Sequence, residues 1–478
     1  MTMSNTTRRD FLKTLSAGTV AALGASAPRA WAAPDAAVGH APVPPAIQKI
    51  APLADQMVLL WMGGAMCQTE TFDPKPFTPF EKGMETKKLL STFPTINTVC
   101  DHIKFAEGVE ELAKVIDRGT VIRSYVARDY GQLAENLQHI PYQVKFHTGY
   151  APPQTVSPPF IGAWLSKILG PYNPDLPAYF EICRPEDTGN AFLSLPSFSA
   201  SGFLGAEHGS LVIPEAARAQ EVIKSRIAAG RFENRYKKWK EMVDASPAAD
   251  LASSYQRESM IRSMESAYRL MQSPKAKALD ISQESKETLA KYDTGPFGRG
   301  CLLARRLVEA GARFVEVHVD FENAKGWDTH SDGHNGQKKM KAVIDRPVAT
   351  LIRELEERGL LKRTLVVLAT EFGRSTVGRG STKVERIEKM DHYGLHGHFA
   401  GATSLLMFGG GVKPGSVYGR TSDEFPCETV ENAIGIEDLH ATMYRIMGIS
   451  AKYNIEVEKR PFYVTKDGIG KVVPALLG

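Results

Sequence analysis

The chain has 478 residues, with 58 Lys and Arg against 54 Asp and Glu, for a net charge of +4 at pH 7. A hydrophobic content of 43% and a charged content of 23% are ordinary for a globular protein, and the length allows two or three domains or one large α/β core with insertions. Arg8, Arg9, Lys13 and Arg29 against Asp10 give residues 1–32 a net +3, leaving +1 for the rest, which offers no electrostatic case for binding nucleic acid.

In chain order, Thr7-Arg8-Arg9-Asp10-Phe11-Leu12-Lys13 resembles a twin-arginine (Tat) export signal. A weakly apolar run from Thr14 to Ala27 and the small-x-small site Ala30-Trp31-Ala32 follow, placing cleavage near Ala33. That run is shorter than the ~20 residues a spanning helix needs, and no later segment qualifies, so no integral membrane segment is expected after cleavage. Residues 33–50, rich in Ala and Pro, read as a tether, and residues 51–478 as the folded domain. The expected location is periplasmic or otherwise extracytoplasmic, with the Tat machinery as a partner.

Gln56–Met62 is a continuous apolar run ending at Gly63-Gly64, as in a buried parallel strand followed by a tight loop. Val109 to Asp117 has helical spacing, Thr120–Tyr125 reads as a second strand, and Gly131–Phe146 as a helix interrupted by Pro141. Phe160–Leu169 follows as a helix and Leu176–Ile182 as a strand. From about 214 to 292 charged and apolar residues alternate at helical period, which predicts a helical insertion on one side of the sheet. The basic run Arg235–Lys240 within it reads as a solvated helix face. Helix Arg299–Ala310, strand Arg313–Val319, helix Lys338–Arg358, strand Thr364–Thr370, strand Ser404–Phe408 and helix Glu437–Met447 restore a βαβ rhythm. This predicts a mostly parallel sheet covered on both faces. Gly409-Gly410-Gly411 meets Pro414 and reads as a turn rather than a phosphate cradle.

Six of the twelve histidines fall between His318 and His398, mixed with carboxylates just after predicted strands. Open α/β sheets gather functional groups in loops beyond the carboxyl ends of their strands. Glu70 and Asp73, Asp328 and His330, Glu371, and the group His392, His396 and His398 all fall in such loops, and carboxylate oxygen with imidazole nitrogen suits borderline divalent cations. Arg123 and Arg374 could hold an anionic group. The five cysteines (Cys67, Cys100, Cys183, Cys301, Cys427) form no C-x-x-C pair, which argues against a thiolate-bound cluster. Cys67 remains a second candidate nucleophile.

The run Gly64–Pro76, then Trp327-Asp328-Thr329-His330, Glu371-Phe372-Gly373-Arg374 and Asp391-His392-Tyr393-Gly394-Leu395-His396-Gly397-His398, in that order, resembles an exported, sulfatase-like family of bacterial proteins of unknown function. That family lies within the alkaline phosphatase superfamily, and the likeness runs from about Gln56 to near Gly470. It implies an alkaline-phosphatase-like fold, a doubly wound α/β/α sandwich with metal ions at the sheet edge. It also implies that Asp328 and His330 bind a first metal, that Glu371 belongs to a second, and that His396 or His398 is the late histidine, with His392, Glu70 and Asp73 as further ligands. Phe372 stands where the superfamily has a histidine. Sulfatases carry C-x-P-S-R followed by T-G-x-Y-P; here His139-Ile140-Pro141-Tyr142-Gln143 precedes Thr148-Gly149-Tyr150-Ala151-Pro152, so His139 takes the place of the modified cysteine. A formylglycine sulfatase is not expected. His139 then acts as nucleophile or acid–base group, or else binds metal or packs.

The expectation is therefore an exported hydrolase of a phosphate or sulfate ester, small or polymeric. It would use one or two divalent cations, with zinc, manganese, iron, calcium and magnesium not distinguished, and His139 and Arg374 as catalytic residues. The alternative is a non-catalytic exported binding protein on the same fold.

Overall fold

The computed structural model describes residues 50–127, 137–151, 156–182, 201–224, 229–245, 254–293, 295–319, 326–378, 382–457 and 460–478. The expected export signal, all but the last residue of the tether, Cys183 and the first part of the helix expected from Gly131 lie outside the described residues.

Eight strands form the main sheet: β1 (Gln56–Trp61), β2 (Gly119–Ile122), β3 (Tyr179–Ile182), β4 (Leu211–Ile213), β5 (Phe314–His318), β6 (Thr364–Ala369), β7 (Leu405–Gly409) and β8 (Ser416–Tyr418). Their order is β8-β2-β7-β6-β1-β5-β3-β4. All neighbours are parallel except β7, which runs against both β2 and β6. The six strands expected from apolar runs are all present. The two missed, β4 and β8, are three-residue edge strands too short to show a run or an alternation.

Every residue of β1 and β6 is buried, as expected for central strands covered on both faces. On one face Val58, Leu60, Val317, Val366 and Leu368 pack under α5 (Pro296–Ala310) and α6 (Gly333–Glu357). On the other, Met57, Leu59, Phe314, Leu365 and Val367 pack under α1 (His139–Thr148), α2 (Ile161–Leu169) and α7 (Ile436–Ile446). Each fully buried aliphatic side chain contributes about 1.5–3 kcal/mol, and the result is a doubly wound α/β/α sandwich. α5 starts at Pro296 rather than Arg299 because proline is pre-shaped for the first helical position. It stops at Gly311, whose φ of 102° puts it in the left-handed region and whose N–H reaches Leu307 and Val308.

Among the described residues between 214 and 291 the regular elements are all helices and 3-10 turns, including α3 (Ala229–Asp244) and α4 (Ser254–Gln272), and the segment joins the α5/α6 face through Leu270, Leu279 and Ile281. Arg235, Lys237, Lys238 and Lys240 on α3 are exposed. Gly409, Gly410 and Gly411 have φ of 64°, 45° and 79°, a left-handed turn closed by Val412 N–H on Gly409 O.

Register decides where the site lies. Trp61 at the end of β1 pairs with His318 of β5 and Ala369 of β6. The loops that leave these three strands, beginning at Met62, Val319 and Thr370, therefore emerge side by side.

Candidate metal centre

Four side chains from three parts of the chain converge at this edge. His139 is the first residue of α1, Asp328 and His330 lie in the loop between β5 and α6, and His398 lies on a short antiparallel ribbon, Gly397–Phe399 against Gly373–Ser375. One ligand atom from each lies within 4.8 Å of the others. Asp328 Oδ1 is the hub: His330 Nε2 lies 2.9 Å away, His139 Nε2 3.1 Å and His398 Nε2 3.6 Å. The His330 side chain is 33% exposed and gives the group an opening to solvent.

Two of the three histidines have a partner behind the ring that fixes its orientation. His398 donates Nδ1–H to the Leu137 carbonyl at 2.7 Å, which leaves Nε2 as the lone-pair nitrogen of a neutral ring. Burial, the largest influence, drives His398 down to about 4, so it is neutral at pH 7. Its Nε2 is buried without a hydrogen-bond partner among the described residues. A lone pair facing a carboxylate oxygen at 3.6 Å is an arrangement that a cation between them would stabilise. His139 Nδ1 lies 2.6 Å from Glu371 Oε1, an orienting carboxylate behind the ring that turns Nε2 toward Asp328. Burial opposes a charge on His139, yet its bonds to Asp328 and Glu371 outweigh that and raise its pKa. For Asp328 burial again opposes, and the three histidines with the Arg374 charge hold the carboxyl far below its usual range. Phe372 stacks on His139 (ring centroids 5.1 Å apart) and tilts against His398 at 4.9 Å, an apolar wall on one side of the group. Three imidazoles and one carboxylate, oriented from behind and open on one side, fit a zinc-like divalent ion.

Several expected ligands stand elsewhere. Glu371 is fully buried behind His139, taken up by Gly64 N–H (3.0 Å), the Thr370 hydroxyl (2.9 Å) and the Gln143 amide (3.4 Å), so it orients rather than joins the group. Glu70 and His396 form a separate buried pair at 3.2 Å. Asp73 makes ion pairs with Lys75 (3.6 Å) and Arg123 (3.4 Å) and accepts the Thr421 hydroxyl. His392 lies on a surface turn, where Nδ1 accepts the Glu388 N–H at 3.3 Å. Their acidic and imidazole chemistry is that of ligands, but loop geometry, which spacing does not encode, sends them apart.

The expected catalytic Arg374 is fully buried. Its guanidinium donates to Asp328 Oδ1, to Gly64 O (2.6 Å), Ala65 O (2.7 Å) and His396 O (2.5 Å), so it orients the hub and meets no anion from solvent. Arg123 is likewise engaged, with Phe72 O (3.0 Å) and Lys104 O (2.8 Å). Burial pushes the Cys67 thiol up to about 12, and it lies against Thr69 and the Arg374 carbonyl, so it offers no thiolate nucleophile.

A second acid–histidine group escapes sequence reading because apolar strand residues surround it. Glu181 of β3 and Glu316 of β5 are register partners. Tyr179 contacts both carboxylates (2.9 and 3.1 Å), His147 Nε2 lies 2.7 Å from Glu316, and Ser210 donates to Glu181 at 2.7 Å. Against the effect of burial, the charges of His147 and His318 hold Glu316 down at about 2. Every oxygen of the pair has a protein partner, as in a satisfied buried network.

Residues 54–477 match the family described as Protein of unknown function (DUF1501). No curated protein matches the chain. Among solved structures it is similar to the PsFucS1 sulfatase from Pseudoalteromonas sp. (13% identity, 83% of this chain and 68% of that one, TM-score 0.34). It is also similar to the lipoteichoic acid synthase LtaP from Listeria monocytogenes (7%, 88% and 77%, TM-score 0.35). A third is the alkaline phosphatase from the Antarctic bacterium TAB5 (10%, 76% and 94%, TM-score 0.28).

Proposed function

The chain belongs to the DUF1501 family of proteins of unknown function, and for this member we propose an exported, metal-dependent hydrolase of phosphate or sulfate esters. The observation that carries the reading is His398 Nε2, buried, neutral and aimed at Asp328 Oδ1 beside two further imidazoles. Asp328, His330, His398 and His139 would hold the ion. Bound there, a divalent cation supplies positive charge for an anionic ester and lowers the pKa of water.

The chain's own residues complete the chemistry. Glu371 fixes the His139 ring, and Arg374 fixes Asp328. The N-terminus of α1, where His139 sits, adds a partial positive charge that favours an anion over a neutral substrate. With Nδ1 engaged by Glu371 and Nε2 turned toward Asp328, His139 has both ring nitrogens committed, so its part is to hold the ion rather than to pass a proton. The twin-arginine-like segment before the domain supports export, and with it a substrate outside the cytoplasmic membrane, whether a small ester or an anionic polysaccharide.

The test is turnover of 4-nitrophenyl phosphate and 4-nitrophenyl sulfate by the purified protein, before and after chelation and zinc return. The reading expects activity that disappears with the chelator and returns with zinc. It expects His139→Ala, which removes a ligand of the ion, to reduce kcat by about 10- to 100-fold or more. A zinc-loaded, folded protein inert toward a broad panel of both ester classes contradicts it and favours the binding-protein alternative.

A further inference from the structure

Behind the metal centre, Glu70, His396 and Thr329 form a fully buried chain that the chemistry above does not use. Glu70 accepts hydrogen bonds from the Ser91 hydroxyl (2.9 Å), Thr92 N–H (3.0 Å) and the Thr92 hydroxyl (3.0 Å). These donors, His396 and the Lys341 charge outweigh burial and keep it ionised. A carboxylate only accepts, so His396 Nε2, 3.2 Å away, must donate to it. His396 Nδ1 is then a lone pair that accepts the Thr329 hydroxyl at 3.2 Å, and the Thr329 oxygen in turn accepts the Gln337 amide at 3.2 Å. With a neutral His396 ring, this ordering of protons satisfies every contact in the chain.

Two further observations show that this arrangement is imposed on the backbone. His396 has φ of 44°, a left-handed conformation that a non-glycine residue adopts only when its surroundings hold it there. Gly333, at the start of α6, lets the helix approach so closely that a Cβ there would stand 2.2 Å from His396 Nδ1. Thr329 lies between Asp328 and His330. The His396 carbonyl also accepts from Arg374, whose other nitrogen holds Asp328.

We propose that Glu70, His396 and Thr329 are positioning residues: a clamp, gripping the ligand loop by the Thr329 hydroxyl, that aims Asp328 and His330 and so sets the affinity of the centre for its cation. The proposal rests on the metal reading above and assigns a role to two residues, Glu70 and His396, whose types alone would make them ligands.

The test is zinc affinity, by competition with a chelating dye, in the wild-type protein, Thr329→Val and Thr329→Ser, with thermal unfolding of each metal-free protein. The clamp predicts that Thr329→Val, which removes only the hydroxyl, weakens zinc binding about 10- to 100-fold. Thr329→Ser restores the affinity, and the metal-free midpoints of the two variants agree. Thr329→Val binding zinc as tightly as wild type overturns the clamp and leaves the metal reading standing. Equal loss of affinity in both variants, tracking a fall in metal-free stability, also overturns it, since the hydroxyl would then be only structural. Wild-type protein that binds no zinc or other divalent ion removes the metal reading, and the clamp with it.

Discussion

His398 offers one ring nitrogen to a backbone carbonyl and turns the other, unprotonated, on a carboxylate. His398→Ala should therefore weaken the binding of a divalent ion by at least about 10-fold while leaving the metal-free fold intact, as chelator competition and circular dichroism would show. Lys341 gives a prediction of another kind. It is buried, its ammonium lies 3.0 Å from the centre of the Phe93 ring, and it donates to the Glu107 carbonyl. Burial, foremost, drives its pKa down to about 8 from 10.5, against the favourable charge of Glu70. Between those values the unfolded chain holds the proton that the folded one has released, so stability rises with pH from 8 to 10.5. Below pH 8 the buried charge costs about 3 kcal/mol. Denaturant unfolding across this range should show the rise in wild type and its loss in Lys341→Met; an identical slope in both would rule out Lys341 as its source. At this scale the sequence was legible for residue types and their loops. Asp328, His330, His139 and His398 could be named, but Glu371, Glu70 and His396 were indistinguishable from ligands. Which way a side chain turns depends on partners such as Leu137 O for His398, 261 residues away, and Thr92 N–H for Glu70, which lies in another loop.

At the level of elements, the apolar runs that made β3 and β5 readable also hid the charges within them. Glu316 sits inside β5, held there by His147 on α1 and by Tyr179 on β3, partners that its own segment does not announce. Other buried charges join helices to one another. Arg305 of α5, 2% exposed in its side chain, reaches Glu354 of α6 at 3.0 Å, Glu309 at 3.0 Å and Glu284 of the insertion at 2.9 Å. Arg305→Met would leave the buried Glu354 carboxylate without an ionic partner and should cost about 3–5 kcal/mol, measured by urea unfolding. A shift below about 1 kcal/mol, the range of surface pairs, would mean that the network is solvated. α2 lies so close to the sheet that a Cβ on Gly162 would stand 2.6 Å from the Phe314 ring and 2.7 Å from the Tyr179 ring. Gly162→Val should therefore lower stability by about 1–3 kcal/mol or more through overpacking. Such close approaches have no signature in sequence, whereas the glycine stops and proline starts of the helices do.

For the whole molecule, alternating strands and helices were enough to predict a doubly wound sandwich, since few arrangements bury both faces of a parallel sheet. The helical character of the described residues between 214 and 291 was also legible, because the sequence period there never shifts to that of a strand. We propose further that the segment ahead of the domain directs export of the folded protein. Replacing Arg8 and Arg9 together by Lys should leave the full-length precursor in the cytoplasm on cell fractionation, and unchanged export would point to another route. The central claim is that Asp328, His330, His398 and His139 form a centre built for a divalent ion. Its most direct test is the metal content of the purified mature protein by mass spectrometry, beside a folded Asp328→Ala/His330→Ala variant. The account predicts at least one equivalent of zinc, manganese or iron per chain, lost in the variant. A wild-type protein that stays metal-free after reconstitution would contradict it.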